Sequence, residues 1–153
     1  MLRRELFSFD RVRFVTHLMR TLIPMTEPAF IPEDYFGALT PSEIFGEDGL
    51  FEVDLGCGDG GFLLQMAEYY PERRFLGVER LLGRVRSVCS KAASRGLDNV
   101  KVFRVESRYF LEWLIWPGRI SRLHYLFPDP WPKERHHKNR LVQDDFMSVL
   151  HRS

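Results

Sequence analysis

Strand-like and helix-like stretches alternate between Leu50 and Leu150, and this alternation restricts the fold more than any other feature of the chain. "LFEVDL" (50–55) is short, apolar and ends at glycines, as a buried strand does. "GFLLQMAEYY" (61–70) sets Phe62, Leu63, Met66, Ala67 and Tyr70 on one helical face. "RRFLGVE" (73–79) reads as a second strand. "GRVRSVCSKAASRG" (83–96) reads as a helix with Val85, Val88, Cys89 and Ala92 inward and Gly96 as its stop. "NVKVFRV" (99–105) is a third strand, and "YFLEWLI" (109–115) a short helix halted by Pro117 and Gly118. "SRLHYLF" (121–127) is a fourth strand. "RLVQDDFMSVLH" (140–151) is a last helix with Leu141, Val142, Phe146, Val149 and Leu150 inward. This spacing predicts right-handed crossovers and therefore an α/β fold on a parallel sheet. Ligands of such sheets sit at the carboxyl ends of the strands, near the reversal of strand order. The turns after Leu55, Val78 and Phe127 are the candidates.

Residues 1–48 have a different texture, with Pro24, Pro28, Pro32 and Pro41, and we read them as an entry segment to a single domain over 49–153. "TPSE" (40–43) has the spacing of a capping box with proline at the first helical position, which predicts a short helix ending near Gly46. A length of 153 residues supports one core, and 44% apolar with 28% charged residues excludes a disordered chain. Lys and Arg number 22 against 21 Asp and Glu, so the molecule is no polycation and any attraction to nucleic acid is local. The charge is indeed uneven: Arg3, Arg4, Arg11, Arg13 and Arg20 open the chain, Glu27 to Asp48 holds no Lys or Arg, and Lys133 to Arg140 is basic again. Cys57 and Cys89 have neither metal-site spacing nor the number for a disulfide scaffold, which points to a reducing cytoplasm. No apolar run is long enough for a bilayer, so no membrane partner is expected.

The turn "DLGCGDGG" carries the first functional signal. Gly56, Gly58 and Gly60 let the backbone turn sharply and approach a ligand without a Cβ in the way. Gly56, Gly58 and Gly61 also fit G-x-G-x-x-G, a weak match that by itself equally describes a tight turn with no ligand. Two acids strengthen it. Asp54 sits on the strand just before the glycines, and Glu79 ends the second strand, where a carboxylate accepts both hydroxyls of a ribose. NAD and S-adenosylmethionine both contain that ribose. Asp54 favours the second, because a carboxylate repels a pyrophosphate and suits the ammonium of a methionine moiety. Glu106 and Ser107, at the end of the third strand, are placed to read an adenine amino group; the plain alternative for Glu106 is a surface acid.

The fourth strand runs into "FPDPWPKERHHKNR" (127–140), a proline-fixed loop with one acid, one aromatic plate and a cationic arm. With "VDLGCGDGGFLLQMA", "FLGVE" and "LFPDPWPKERHHKNRL" in hand, the sequence resembles the bacterial tRNA (guanine-N7-)-methyltransferases over about Phe51 to Leu150. The first two patterns are shared by class I methyltransferases at large, and the third is specific to this family. The resemblance implies a Rossmann-like class I methyltransferase fold, a three-layer sandwich with a mostly parallel sheet. It implies S-adenosyl-L-methionine as cofactor, bound by Asp54, Glu79 and Glu106. It places Asp129 beside the target base and makes Lys133 a substrate-binding lysine. Asp54 stands where the family more often has Glu, and Glu106 where it more often has Asp. Relatives continue for several dozen residues beyond the last helix, into further strands, so relative to the family the C-terminal strands fall outside this chain. On that expectation the fourth strand is an edge that a second copy or another chain could complete.

The expected reaction fits the residues. Guanine N7 carries an exposed lone pair, so methyl transfer needs alignment and stabilisation of positive charge on the purine rather than a general base. Asp129, held between Pro128 and Pro130, is the candidate for that stabilisation. Trp131 either stacks on a base or lids the sheet. Lys133, Arg135, His136, His137, Lys138 and Arg140 are placed to grip RNA phosphates, against the plain reading of a solvated charge run. Adjacent histidines do not converge on one ion, so no metal is expected. Two other readings stay open at this point: methylation of an exocyclic base amine, and a domain that binds cofactor or tRNA without chemistry.

Overall fold

The computed structural model describes residues 28–115 and 118–126. The elements follow the expected alternation. They are β1 (Ala29–Phe30), α1 (Pro41–Phe45), β2 (Phe51–Leu55), α2 (Gly61–Tyr69), β3 (Phe75–Glu79), α3 (Leu82–Ser94) and β4 (Val100–Arg104), then α4 (Ser107–Tyr109) running into a π-helical turn Phe110–Leu114, and finally β5 (Ile120–His124). All strand pairs are parallel, and the order is β1-β4-β3-β2-β5. The chain steps from β2 outward to β3 and β4, then returns to place β5 on the other side of β2. The strand order therefore reverses between β2 and β5.

Period-two alternation splits each central strand between two cores. Phe51, Val53, Leu55, Leu76, Val78 and Phe103 face α1 and the π-helical turn. Phe75, Val100 and Val102 face α2 and α3, which add Leu63, Leu64, Ala67, Val85, Val88, Cys89 and Ala92. This is a three-layer α/β sandwich. Gly77 sets how close the second layer comes: a Cβ there would lie 2.5 Å from Leu63 Cδ2 and 3.0 Å from Cys57 Sγ. Only a residue without a side chain lets α2 and the turn before it press onto β3.

The predicted capping box is present. The backbone N–H of Thr40 donates to Glu43 Oε2 at 2.7 Å, Thr40 Oγ1 accepts from Glu43 N–H at 3.4 Å, and Gly46 ends α1 with φ 82°. The inward face predicted for α3 is the buried one. For α2 the prediction needs correction. Leu64 is fully buried, whereas Phe62 and Met66 are half-buried and Tyr70 is exposed. The helix packs on the sheet and against α3 together, so two adjacent faces are covered, and Tyr70 lies past its end under the Arg73 guanidinium at 4.2 Å. β5 also stops at His124 rather than Phe127. β1 has no counterpart in the sequence reading: it adds to the sheet edge beside β4, and Leu39 and Ile44 of the entry segment join the core. The helix expected over 140–151 lies outside the described residues.

Candidate functional site

The reversal of strand order leaves a crevice beside the carboxyl ends of β2 and β5, and the glycine turn stands over it. The turn is tied down by β3. Gly56 N–H and Cys57 N–H both donate to the Val78 carbonyl, at 2.8 and 3.0 Å. Gly58 N–H donates to Glu79 Oε2 at 3.2 Å. Gly56, Gly58 and Gly60 all have positive φ, at 70°, 59° and 80°. Their missing side chains serve different ends. A Cβ on Gly56 would meet nothing within 4 Å, and one on Gly58 only the Gly56 carbonyl oxygen at 3.9 Å, so the backbone there borders open space. A Cβ on Gly60 would sit 2.8 Å from both Val88 methyls, so this glycine serves the packing of α3.

Asp54 and Glu79 are both buried, with relative exposures of 4% and 6%. Glu79 is held from two directions: besides Gly58 N–H it accepts from Leu81 N–H at 2.8 Å, and Arg84 Nη1 approaches at 3.7 Å. A carboxylate has about four lone-pair sites, so acceptor capacity for a diol is left over. Glu79 is thus a buried, hydrogen-bonded acid rather than a solvated strand end. Asp54 differs, because it has no hydrogen-bond partner among the described residues. Burial pushes its carboxyl up to about 6, against the opposing pull of His124. Both acids converge on the turn: the Cys57 thiol is pushed far up by burial, with Asp54 and Glu79 adding to it.

Glu106 is exposed at the end of β4 and caps the helix that follows, accepting from Arg108 N–H at 3.1 Å and Tyr109 N–H at 2.8 Å. Ser107 opens that helix. Asp129, Trp131, Lys133, Arg135, His136, His137, Lys138 and Arg140 lie outside the described residues.

A charged cluster beside the site escaped the sequence reading. Glu52, two residues before Asp54 and thus on the same face of β2, accepts from His124 Nε2 at 2.7 Å and from Arg73 Nη1 at 3.1 Å. The Phe62 ring packs on the imidazole at 4.8 Å between centroids. Burial raises the Glu52 carboxyl, but the hydrogen bonds from His124 and Arg73 outweigh it and hold the group below the usual range. The signal available was an acid at an inward position of an apolar strand. Its partners were not visible, since His124 is 72 residues away. The cluster runs from Asp54 toward the opposite end of β2, where Glu52 and Arg73, with Leu50, Arg74 and Arg122, line a polar cavity of about 360 Å³. Among the described residues no group of three or more His, Cys, Asp or Glu could hold a metal, and no helix is long and apolar enough to cross a membrane.

The pairing of an unpartnered buried carboxylate with open glycine backbone fits the ammonium and ribose of S-adenosylmethionine on chemical grounds. Comparison with known proteins points the same way. A family model described as "Putative methyltransferase" matches residues 48–153. The tRNA (guanine-N(7)-)-methyltransferase of Marinobacter nauticus is 38% identical over 114 residues, covering 74% of this chain and 48% of the relative. The protein of the same name from Leifsonia xyli is 40% identical over 126 residues, covering 82% of this chain and 56% of the relative. The chain thus spans about half the length of the curated relatives it matches. A solved structure described as "Structure of an antibiotic related Methyltransferase" superposes with a TM-score of 0.54 at 22% identity, over 72% of this chain and 55% of the other, a likeness of fold.

Proposed function

Because the chain belongs to the methyltransferase family whose model spans residues 48–153, we propose that it binds S-adenosylmethionine at the glycine turn and transfers a methyl group to N7 of a guanosine in tRNA. Asp54, buried at the strand-order reversal and without a hydrogen-bond partner among the described residues, carries the cofactor half of this reading. An acid kept without a hydrogen-bond partner costs stability, and an incoming ammonium relieves that cost. Gly56 and Gly58 admit the ligand to the backbone, Glu79 receives the ribose diol, and Glu106 with Ser107 borders the adenine. The names of the relatives support the substrate half, together with the "FPDPWPKERHHKNR" segment that follows β5 in sequence.

Bound there, S-adenosylmethionine supplies a methyl group on a positively charged sulfur. Guanine N7 offers its own lone pair, so no residue has to remove a proton first. The role left to the protein is alignment and charge. Asp129 accepts hydrogen bonds from the base edge and offsets the positive charge that develops on the purine. Lys133, Arg135, His136, Lys138 and Arg140 hold tRNA phosphates, at a cost in affinity as salt rises. This reading places the protein in the cytoplasm with tRNA as its partner.

The test is methyl incorporation from labelled S-adenosylmethionine into total tRNA lacking the mark, with the product nucleoside identified by nuclease digestion and mass spectrometry. N7-methylguanosine is expected. N6-methyladenosine, or no incorporation while the cofactor binds, rejects the proposal.

A further inference from the structure

The Glu52 cluster belongs to no part of the function proposed so far, yet it abuts Asp54. His124 on β5 is the register partner of Asp54 on β2. Its ring is fixed on two sides, by the 2.7 Å hydrogen bond from Nε2 to Glu52 and by the Phe62 ring 4.8 Å away. Glu52 is itself anchored by Arg73 at 3.1 Å. An ionised Glu52 demands a hydrogen on Nε2, which leaves Nδ1 to gain or lose the second proton. Basic and acidic side chains therefore alternate from Arg73 through Glu52 and His124 to Asp54.

We infer that Glu52 and His124 are a positioning pair for Asp54: Glu52 fixes the imidazole, and the fixed ring stands beside the Asp54 carboxylate, where its charged form favours the ionised acid that an ammonium group needs. Glu52 neutralises the ring it holds, so an ammonium entering the crevice meets the charge of one carboxylate rather than a competing cation. Among the described residues, the other groups around Asp54 do not fill this role. Glu79 on β3 is an acid already engaged by two backbone N–H groups, with Arg84 of α3 near the oxygen that Gly58 N–H reaches. Cys57 in the turn is a buried thiol, and α2 contributes the uncharged Phe62. Asp59 pairs with Lys91 of α3. Arg122, on β5, is the register partner of Glu52, whereas His124 is the register partner of Asp54 and opposes the effect of burial on it. The last step, from a ready carboxylate to cofactor binding, rests on the proposed function; the coupling between ring and carboxylate does not.

The experiment separates the two. The full chain, without ligand, is titrated by carboxyl carbon NMR, with Asp54→Asn to assign the Asp54 signal. His124→Gln is expected to raise the Asp54 midpoint by about half a pH unit or more. A midpoint equal to that of the parent overturns the inference. Should His124→Gln fail to fold, the coupling is read from its other partner. In Asp54→Asn the ring nitrogen shifts of His124 near pH 6 should move toward those of a neutral imidazole, and unchanged shifts overturn the inference. A second arm measures S-adenosylhomocysteine binding by calorimetry across the same pH range. Affinity should rise as Asp54 ionises, and its midpoint should move upward with that of Asp54 in His124→Gln. Binding that ignores pH in both proteins overturns the link to the ammonium. If S-adenosylhomocysteine binds at no pH while the carboxyl midpoint still moves, the cofactor reading falls and the charge coupling stands.

Discussion

Glu52 and Asp54 stand two residues apart on one buried strand and face the same way, yet the fold treats them oppositely. Glu52 is surrounded by donors and held below the usual carboxylate range despite burial. Asp54 is equally inaccessible, has no donor among the described residues, and is pushed up to about 6 by burial. On the proposed function the difference is one of purpose: a buried charge that belongs to the architecture is hydrogen-bonded within the protein, whereas one that serves a ligand is left without a donor at a cost in stability. An unpartnered acid is informative because an equally buried, partnered acid two residues away shows what the fold does when it has no ligand to serve.

The comparison can be broken most directly at Asp54. Asp54→Asn should lower affinity for S-adenosylhomocysteine by 100-fold or more (about 3 kcal/mol, as for loss of a buried charge partner), read by calorimetry at pH 8. The same substitution should leave the ligand-free protein more stable by up to about 3 kcal/mol at that pH, which is the size of the raised carboxyl expressed as free energy. A variant that binds normally, or that unfolds more easily, removes Asp54 from the role given to it.

Glu52→Gln should do the reverse: it keeps one acceptor oxygen for the two donors, Arg73 and His124, and removes the charge they share, with an expected loss of about 1–3 kcal/mol in denaturant unfolding. Gly60→Ala and Gly56→Ala sharpen the same division within the turn. Both force an alanine to positive φ, but Gly60→Ala also meets Val88 and should cost about 1–3 kcal/mol more in stability. Gly56→Ala should cost about 1 kcal/mol and act mainly on ligand affinity.

The same division appears in the pH profile of stability. Asp54 binds its proton more tightly folded than unfolded, so its contribution is fully present below about pH 4 and is lost as pH rises through about 6. Glu52 binds its proton less tightly when folded, so its contribution is present above about pH 4.5 and is lost as pH falls through its lowered value. Asp54→Asn should flatten only the rise-side loss and Glu52→Gln only the acid-side loss, as followed by urea midpoints at a series of pH values.

The framework was legible in the sequence because it is written locally. Glycines and prolines punctuate it, the apolar period changes from two to near four, and the capping box at Thr40 announces α1 within four residues. The acids Asp54 and Glu79 were legible for the same reason, being attached to strand ends beside glycines. What escaped depends on contacts between distant positions. β1 consists of two residues, Ala29 and Phe30, whose strand character comes from β4 rather than from any pattern of their own. Leu64 is buried because α2 touches α3 as well as the sheet. The pairing of Glu52 with His124 and Arg73 exists only once β5 has returned to lie beside β2.

Gly77 has a consequence that reaches the crevice. Since Leu63 and Cys57 rest where its side chain would be, this position acts as a spacer gauge for the layer above it. A single added methyl would push on the Leu63 methyl and the Cys57 thiol, the side chains that seat the first turn of α2 and the loop tied to Val78 and Glu79. The height of the ceiling over the two acids is thus governed from beneath, by an atom that is not there.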